Sequence, residues 1–353
     1  PAGTYQDRTG QSGCTNCPAG SFSKATGNKS SGDCSVCPTG TYENNGSACI
    51  KCEPGKYNPE KGSQVASACL DCPAGSYQSR DGQALCILCD AGTYNDRSNA
   101  KANSDCKKCP TGTYTKVSGS TVCATCSSGT YSAVLGSTTC YHCPAGKFQN
   151  NLGQTSCIDC LSGKYGNEVG LSQCTDCPSG THLSTRGATK LDECLSCTAG
   201  RYAGSPGMSE CTQCQSGSYS FSSGADNCLP CNAGTYATTV GASQCTPCKA
   251  GTYLSKEGAT SDQCKPCELG YVQPAQGKSE CNECEAGKFS KSQGQTSCTD
   301  CDSGKFTDSI AQSVCQNCKH GFFASAPGQV ICTPCSPGTY VAGTGATICI
   351  SCE

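Results

Sequence analysis

Every cysteine in this chain belongs to a C-x-x-C pair, from Cys14/Cys17 through Cys349/Cys352, and that single regularity constrains the fold more than anything else in the sequence. Thirteen of the 19 spacings between successive pairs are 17 residues, and the others are 15, 19 or 20. A short fixed period marks a solenoid or linear array, in which each unit touches mainly its neighbours. With 40 cysteines and 43 glycines, no tryptophan and one methionine in 353 residues, the chain lacks the side chains for conventional domain cores. Cysteine at this density identifies a disulfide scaffold from an oxidising compartment, extracellular or at the cell surface.

The rest of the unit is equally regular. Three residues after the second cysteine of a pair stands a glycine, as at Gly20, Gly40, Gly75 and Gly338, and two residues further a ring, as at Phe22, Tyr42, Tyr77 and Tyr340. Two units lack the ring: His182 occupies one slot, and in the other Tyr271 comes one residue early and leaves Val272. A second glycine lies four residues before the next pair in most units (Gly82, Gly119, Gly153), where it is expected to turn a tight hairpin between two short extended pieces. The predicted fold is a set of small disulfide-rich repeats. It forms an elongated rod or solenoid of about twenty 17-residue units, with short β-hairpin pieces and little or no helix. Burying one ring per unit falls far short of the entropy of ordering 17 residues, so the ring packs on a neighbouring unit and crosslinks supply the rest.

Two connectivities suit the pairs. Linking the second cysteine of one pair to the first of the next treats all units alike and is preferred; it joins Cys17 to Cys34, Cys37 to Cys49, Cys126 to Cys140, Cys143 to Cys157 and Cys160 to Cys174. A ladder joining both cysteines of one pair to both of the next would group units in twos, and spacing alone leaves both patterns open. Pro1-Ala2-Gly3-Thr4-Tyr5 repeats the phrase Pro73-Ala74-Gly75-Ser76-Tyr77. The sequence is therefore expected to be one continuous array over 1–353, without internal domain boundary, cut from a longer chain.

Function classes narrow in the same way. Zinc could be held by two adjacent pairs 13 residues apart, but zinc arrays commonly add histidine and sit inside cells, and this chain has three histidines, His142, His182 and His320. Thiol catalysis needs one activated pair rather than twenty equivalent ones. No phosphate loop, nucleophile elbow or fixed carboxylate pair is present, so no catalytic, cofactor or metal site is expected and the protein is read as a non-enzyme. A net charge of −2 with scattered Lys and Arg gives no basic stripe for nucleic acid, and no apolar run reaches the roughly 20 residues that span a bilayer. Asn28-Lys29-Ser30 and Asn45-Gly46-Ser47 are N-glycosylation sequons. Ile50, Leu70, Ile87, Tyr141, Ile158, Leu195, Leu229 and Ile350 all fill the first position inside a C-x-x-C. That side chain either packs on the next repeat or offers a lateral contact between chains.

The phrase "CPAGSYQSRDGQALCILC" from Cys72 to Cys89 resembles the ephrin-receptor-type cysteine-rich repeat. Its C-P-x-G-x-Tyr opening is similar to the first small module of tumour necrosis factor receptor domains. The resemblance implies an elongated, extracellular, disulfide-stapled rod in which the second cysteine of each pair bonds the first of the next. Those receptors mix module types and present ligand-binding loops, whereas here one module runs uninterrupted. Long runs of this kind also resemble those in large surface proteins of protists and algae, including proteins of flagellar hairs. The expected function is a structural subunit of an extracellular filament or surface appendage, glycosylated, with copies of itself as partners and no cofactor. The alternative is the stalk or ligand-binding ectodomain of a cell-surface receptor or adhesin.

Overall fold

The computed structural model describes residues 1–353 as a succession of two-stranded antiparallel hairpins, one per unit, with four three-residue 3-10 turns as its helical content. Contacts group the chain into two compact units. One comprises Pro1–Leu161, Tyr165–Cys174 and Gly187–Lys190; the other comprises Ser162–Lys164, Thr175–Arg186 and Leu191–Glu353. The same hairpin builds both.

The repeat that begins at Cys126 shows how sequence becomes structure. The turn Ser127-Ser128-Gly129-Thr130 is closed by the Thr130 amide on the Ser127 carbonyl at 3.1 Å, with Gly129 at φ +78° in the third position. A type II turn demands positive φ there, which explains the glycine. The chain then leaves as Thr130–Tyr131 and pairs with Tyr141–His142, in the register Thr130↔His142 and Tyr131↔Tyr141. The Cys143 amide donates to the Gly129 carbonyl at 2.9 Å, and the Cys126–Cys140 disulfide closes the loop.

Neighbouring units are joined through backbone. Gly129 N–H donates to the Gln149 carbonyl at 2.7 Å, Ser132 N–H to Gln154 at 3.0 Å, and Gly153 N–H to the Cys126 carbonyl at 2.8 Å. The same three bonds recur in the second compact unit, as Gly251 to Gln273, Leu254 to Lys278 and Gly277 to Cys248. The second glycine thus does more than turn the chain: its amide is the tie to the preceding unit, and it lies inside a longer spacer loop rather than a tight hairpin. The exception is the 15-residue interval, where strands Thr41–Asn44 and Ala48–Lys51 are joined by Asn45 (φ 47°) and Gly46 (φ 67°). Two consecutive positive φ values are the signature of the type I′ turn that suits a short hairpin.

Two expectations from the sequence are corrected. Contacts are not confined to adjacent units, because the first glycine of one unit packs against the second glycine of the unit two further on, Gly129 against Gly170 and Gly217 against Gly258. Units this thin, meeting where neither residue has a side chain, let backbones approach across the intervening repeat. Nor do the rings form the interior. Tyr131 and Phe148 are only half-buried, and what is buried is the second cysteine of each pair, at most 1% exposed from Cys37 to Cys318. The residue just after the ring is buried too, as at Asn58, Gln78, Asn95, Ser132, Gln149, Ala203, Ala237 and Gln273.

Polar residues in that slot are satisfied internally, as burial requires. Gln149 Nε2 donates to the Ser156 carbonyl at 2.8 Å while its Oε1 accepts from Asn151 N–H at 3.1 Å, and Gln273 repeats the arrangement with Glu280 and Ala275. Asn58 reaches back to the Thr41 carbonyl of the preceding unit at 2.8 Å. Glu43, a carboxylate in the same slot, accepts from Gly46 and Gly20 amides at 2.6 and 3.2 Å.

A Cβ on Gly129 would overlap the Gly170 carbonyl oxygen, whereas one on Gly10, at φ +75°, would meet nothing within 4 Å. Both substitutions to alanine carry the left-handed backbone penalty of about 1–2 kcal/mol. Gly129→Ala is expected to add steric displacement of the Gly170 turn, read by amide exchange as lost protection at Gly129 and Gly170. Gly10→Ala should leave protection in adjacent units intact.

Candidate interaction surface

The structure joins the second cysteine of each pair to the first of the next in nineteen disulfides, from Cys17–Cys34 to Cys335–Cys349. Cys37–Cys49, Cys126–Cys140, Cys143–Cys157 and Cys160–Cys174 are among them, with Cα atoms 5.7 Å apart. The separation is 14 residues in the 17-residue repeats and widens to 17 in Cys17–Cys34, Cys89–Cys106 and Cys177–Cys194. Longer spacers therefore change loop length without changing the pairing rule. Cys14 and Cys352 remain as exposed thiols.

With sulfur and backbone inside, the variable side chains face outward. The first position inside each C-x-x-C lies directly across the hairpin from the ring: Ile87 faces Tyr77, Ile158 faces Phe148, Leu229 faces Tyr219, and Tyr141 faces Tyr131 with ring centroids 6.1 Å apart. These residues pair across their own hairpin and stay partly exposed. Ile87 is 47% exposed, Ile158 46% and Leu195 59%, because cross-strand pairing aims them beside their own ring on the open face. Ring and apolar partner together make a small apolar step in the units that carry one. Where the position is basic the ring still has a partner, as Lys107 Nζ lies 5.9 Å from the Tyr94 centroid.

Beside the steps runs a series of cross-strand ion pairs: Lys56–Asp71 at 2.6 Å, Lys147–Asp159 at 2.5 Å, Lys288–Asp300 at 3.3 Å, and Lys164–Asp176. All are solvent-exposed, where such pairs contribute little stability. They set local charge without giving the surface a net sign. Asp71 also accepts from Asn99 Nδ2 in a later unit at 2.5 Å.

The two sequons differ. Asn45 is exposed at the tip of its turn. Asn28 is half-buried, and its Nδ2 donates to the Thr4 carbonyl at 2.9 Å and the Ala25 carbonyl at 3.2 Å, while Ser23 Oγ donates to its Oδ1 at 3.2 Å. Among the histidines, His182 takes the ring position opposite Leu195 with Nδ1 buried and unpartnered, and His320 Nδ1 lies 2.6 Å from the Ala342 carbonyl. No helix is long and apolar enough to cross a membrane.

Missed in the sequence was the buried slot after the ring. Its signal was the near absence of charge there: Ser23, Asn58, Gln78, Thr115, Ser132, Leu254 and Ala324 stand in it, and Glu43 alone is charged.

Stapled hairpins, a sulfur-and-backbone interior and an outward face of variable side chains define a cysteine-rich repeat array of the extracellular structural or receptor type. Residues 1–34, 64–106, 77–126, 98–139, 129–170, 146–194, 217–263 and 276–314 match the family described as tyrosine-protein kinase ephrin type A/B receptor-like. These segments cover well over half of the chain, which belongs to that family. No curated protein matches the chain as a relative.

Hydrogen bonds from Lys56 first and Asn99 second hold the Asp71 carboxyl below its ordinary value of 3.8. A depressed folded value means that these bonds contribute at pH above the unfolded value and are lost as pH falls through the folded one. A carboxyl-carbon NMR titration should place Asp71 below 3.8, and Lys56→Gln should raise it. An Asp71 titration unmoved by Lys56→Gln would show that the pair does not form in solution.

Proposed function

We propose that this chain is a structural subunit of an extracellular filament or surface appendage, associating with copies of itself and carrying N-linked glycan. The observation that carries this reading is a set of exposed apolar side chains on one uniformly stapled hairpin, opposite the ring slot in eight of the twenty units: Ile50, Leu70, Ile87, Tyr141, Ile158, Leu195, Leu229 and Ile350. Apolar side chains held outward on a stable framework suit lateral contact between chains, and the scarcity of charge at this position resembles the core of a protein interface. Disulfides repeated along the array, each spanning 12–17 residues, suit an oxidising exterior where load and proteases would unravel a small unstapled repeat.

The family supports a second reading, in which the array is the stalk or ligand-binding ectodomain of a cell-surface receptor or adhesin. Electron microscopy of native, unreduced material separates the two. Sharp layer lines in the power spectrum of a fibre are expected for the subunit, and isolated particles or flexible single strands would favour the receptor. The variant Ile87→Glu/Ile158→Glu is expected to abolish assembly while leaving monomers folded and fully oxidised, since both side chains lie outside the interior.

Glycan is proposed at Asn45, whose side chain is exposed in a turn. At Asn28 a sugar would replace a hydrogen that the folded chain uses to bind Thr4 or Ala25. Glycopeptide mass spectrometry of material from a secreting eukaryotic host should find Asn45 occupied and Asn28 at much lower occupancy. Equal occupancy would show that the amide contacts of Asn28 do not govern modification.

A further inference from the structure

Three pairs of consecutive hairpins leave a shallow recess whose walls come from the same places in the repeat. They are the ring of one unit, the residue after its closing second cysteine, the first strand residue of the next unit, and the stretch just before and including the next first cysteine. The recess walled by Tyr236, Lys249, Thr252, Asp262 and Cys264 has a volume of about 180 Å³ and balances one cation with one carboxylate. Two others depart from that balance in opposite directions.

The larger, about 280 Å³, is lined by Tyr253, Glu268, Tyr271, Glu280 and Cys281. Here the ring register slips: Val272 takes the ring slot at 6% exposure, and Tyr271 takes the first strand position, which Thr or Lys holds in most units. Glu283 adds a third carboxylate, 3.5 Å from the Tyr271 hydroxyl, and Lys265 stands opposite Tyr253 on the preceding hairpin. Two tyrosine faces with an excess of carboxylate form a receptor for an ammonium group.

The other recess, about 230 Å³, is lined by Phe306, Lys319, Phe322, Ile331 and Cys332. It lies three 17-residue units further on in the same compact unit. Phenylalanine again occupies the outward strand position, 41% exposed, Ile331 is 64% exposed, and lysine stands where the first recess has Glu268. A cation flanked by three apolar side chains is the chemical complement of the tyrosine–carboxylate recess.

We propose that Lys319 of one copy docks into the Tyr253/Tyr271 recess of a second copy, with Phe322 and Ile331 covering the tyrosine walls. The contact rests on the self-assembling subunit reading and specifies it. Donor and acceptor are different patches on one chain: an antiparallel two-fold pair would fill both recesses at once, whereas a head-to-tail contact leaves one donor and one acceptor free for a further copy, and the largest species in the sedimentation series tells the two apart. Lysine stacked between tyrosines gains cation–π attraction, and desolvation by Phe322 strengthens its pairing with Glu268 and Glu280.

The test is sedimentation velocity of the full oxidised chain over a concentration series at low and at 0.5 M salt, alongside microscopy. Lys319→Glu and Glu268→Lys are each expected to weaken association at least tenfold, and the two together in one chain to recover part of the loss, because Glu280 and the tyrosine rings still disfavour an anion. Lys249→Glu, the same change in the balanced recess, should leave association within about twofold of wild type. Assembly indifferent to Lys319→Glu, or equally sensitive to Lys249→Glu, overturns this contact while the filament reading stands. Wild-type chains that stay monomeric at every concentration overturn both. Disulfide mapping by mass spectrometry shows that each variant keeps the wild-type pairing.

Discussion

The bond from the second cysteine of one pair to the first of the next is the constraint on which the rest of this structure depends. Each unit has two-residue strands, one half-exposed ring and a spacer of small polar residues, too little apolar surface to offset the entropy of ordering it. Closing the spacer into a short loop removes much of that entropy before any packing is asked for. The buried sulfur of the second cysteine then supplies the nearest thing the unit has to a core. Backbone does the remainder: three amide-to-carbonyl bonds join each unit to the next, and the glycine-to-glycine approach reaches the unit beyond.

This division of labour frees the side chains. In an ordinary domain, changing surface residues in clusters soon touches the packing; here the fold is carried by cysteine, glycine and main chain, so most other positions are open to variation. The positions inside the C-x-x-C, after the second cysteine and before the next first cysteine form a repeated grid of variable side chains on an invariant frame. Isoleucine at Ile87 and Ile158 and lysine at Lys107 share one place in the repeat, and glutamate at Glu268 and lysine at Lys319 share another, without altering the hairpin that presents them. Such a frame suits an assembly protein, because contacts can be tuned unit by unit.

Much of this was legible in the sequence. The cysteine period, the glycine three residues after each pair and the ring two residues on mark the hairpin and its boundaries, since a positive-φ turn and a crosslink are local demands that only one or two residue types meet. The exposed aliphatics were also visible as a pattern, though their orientation was not. A position inside C-x-x-C can face its own ring or the next repeat, and only the antiparallel register, Ile87 against Tyr77 and Ile158 against Phe148, decides that.

By itself the sequence determined the unit, its period and its dependence on covalent closure, because each follows from local chemistry repeated along the chain. Tertiary structure alone decided which residues are inside. The rings, which any hydrophobicity argument would bury fully, are only partly buried, while Gln149, Asn58 and Ser132 lie within. The reason is what surrounds the slot after the ring: main-chain carbonyls and amides brought close by the glycine contacts across two units, which an amide side chain such as Gln149 or Asn58 can bond.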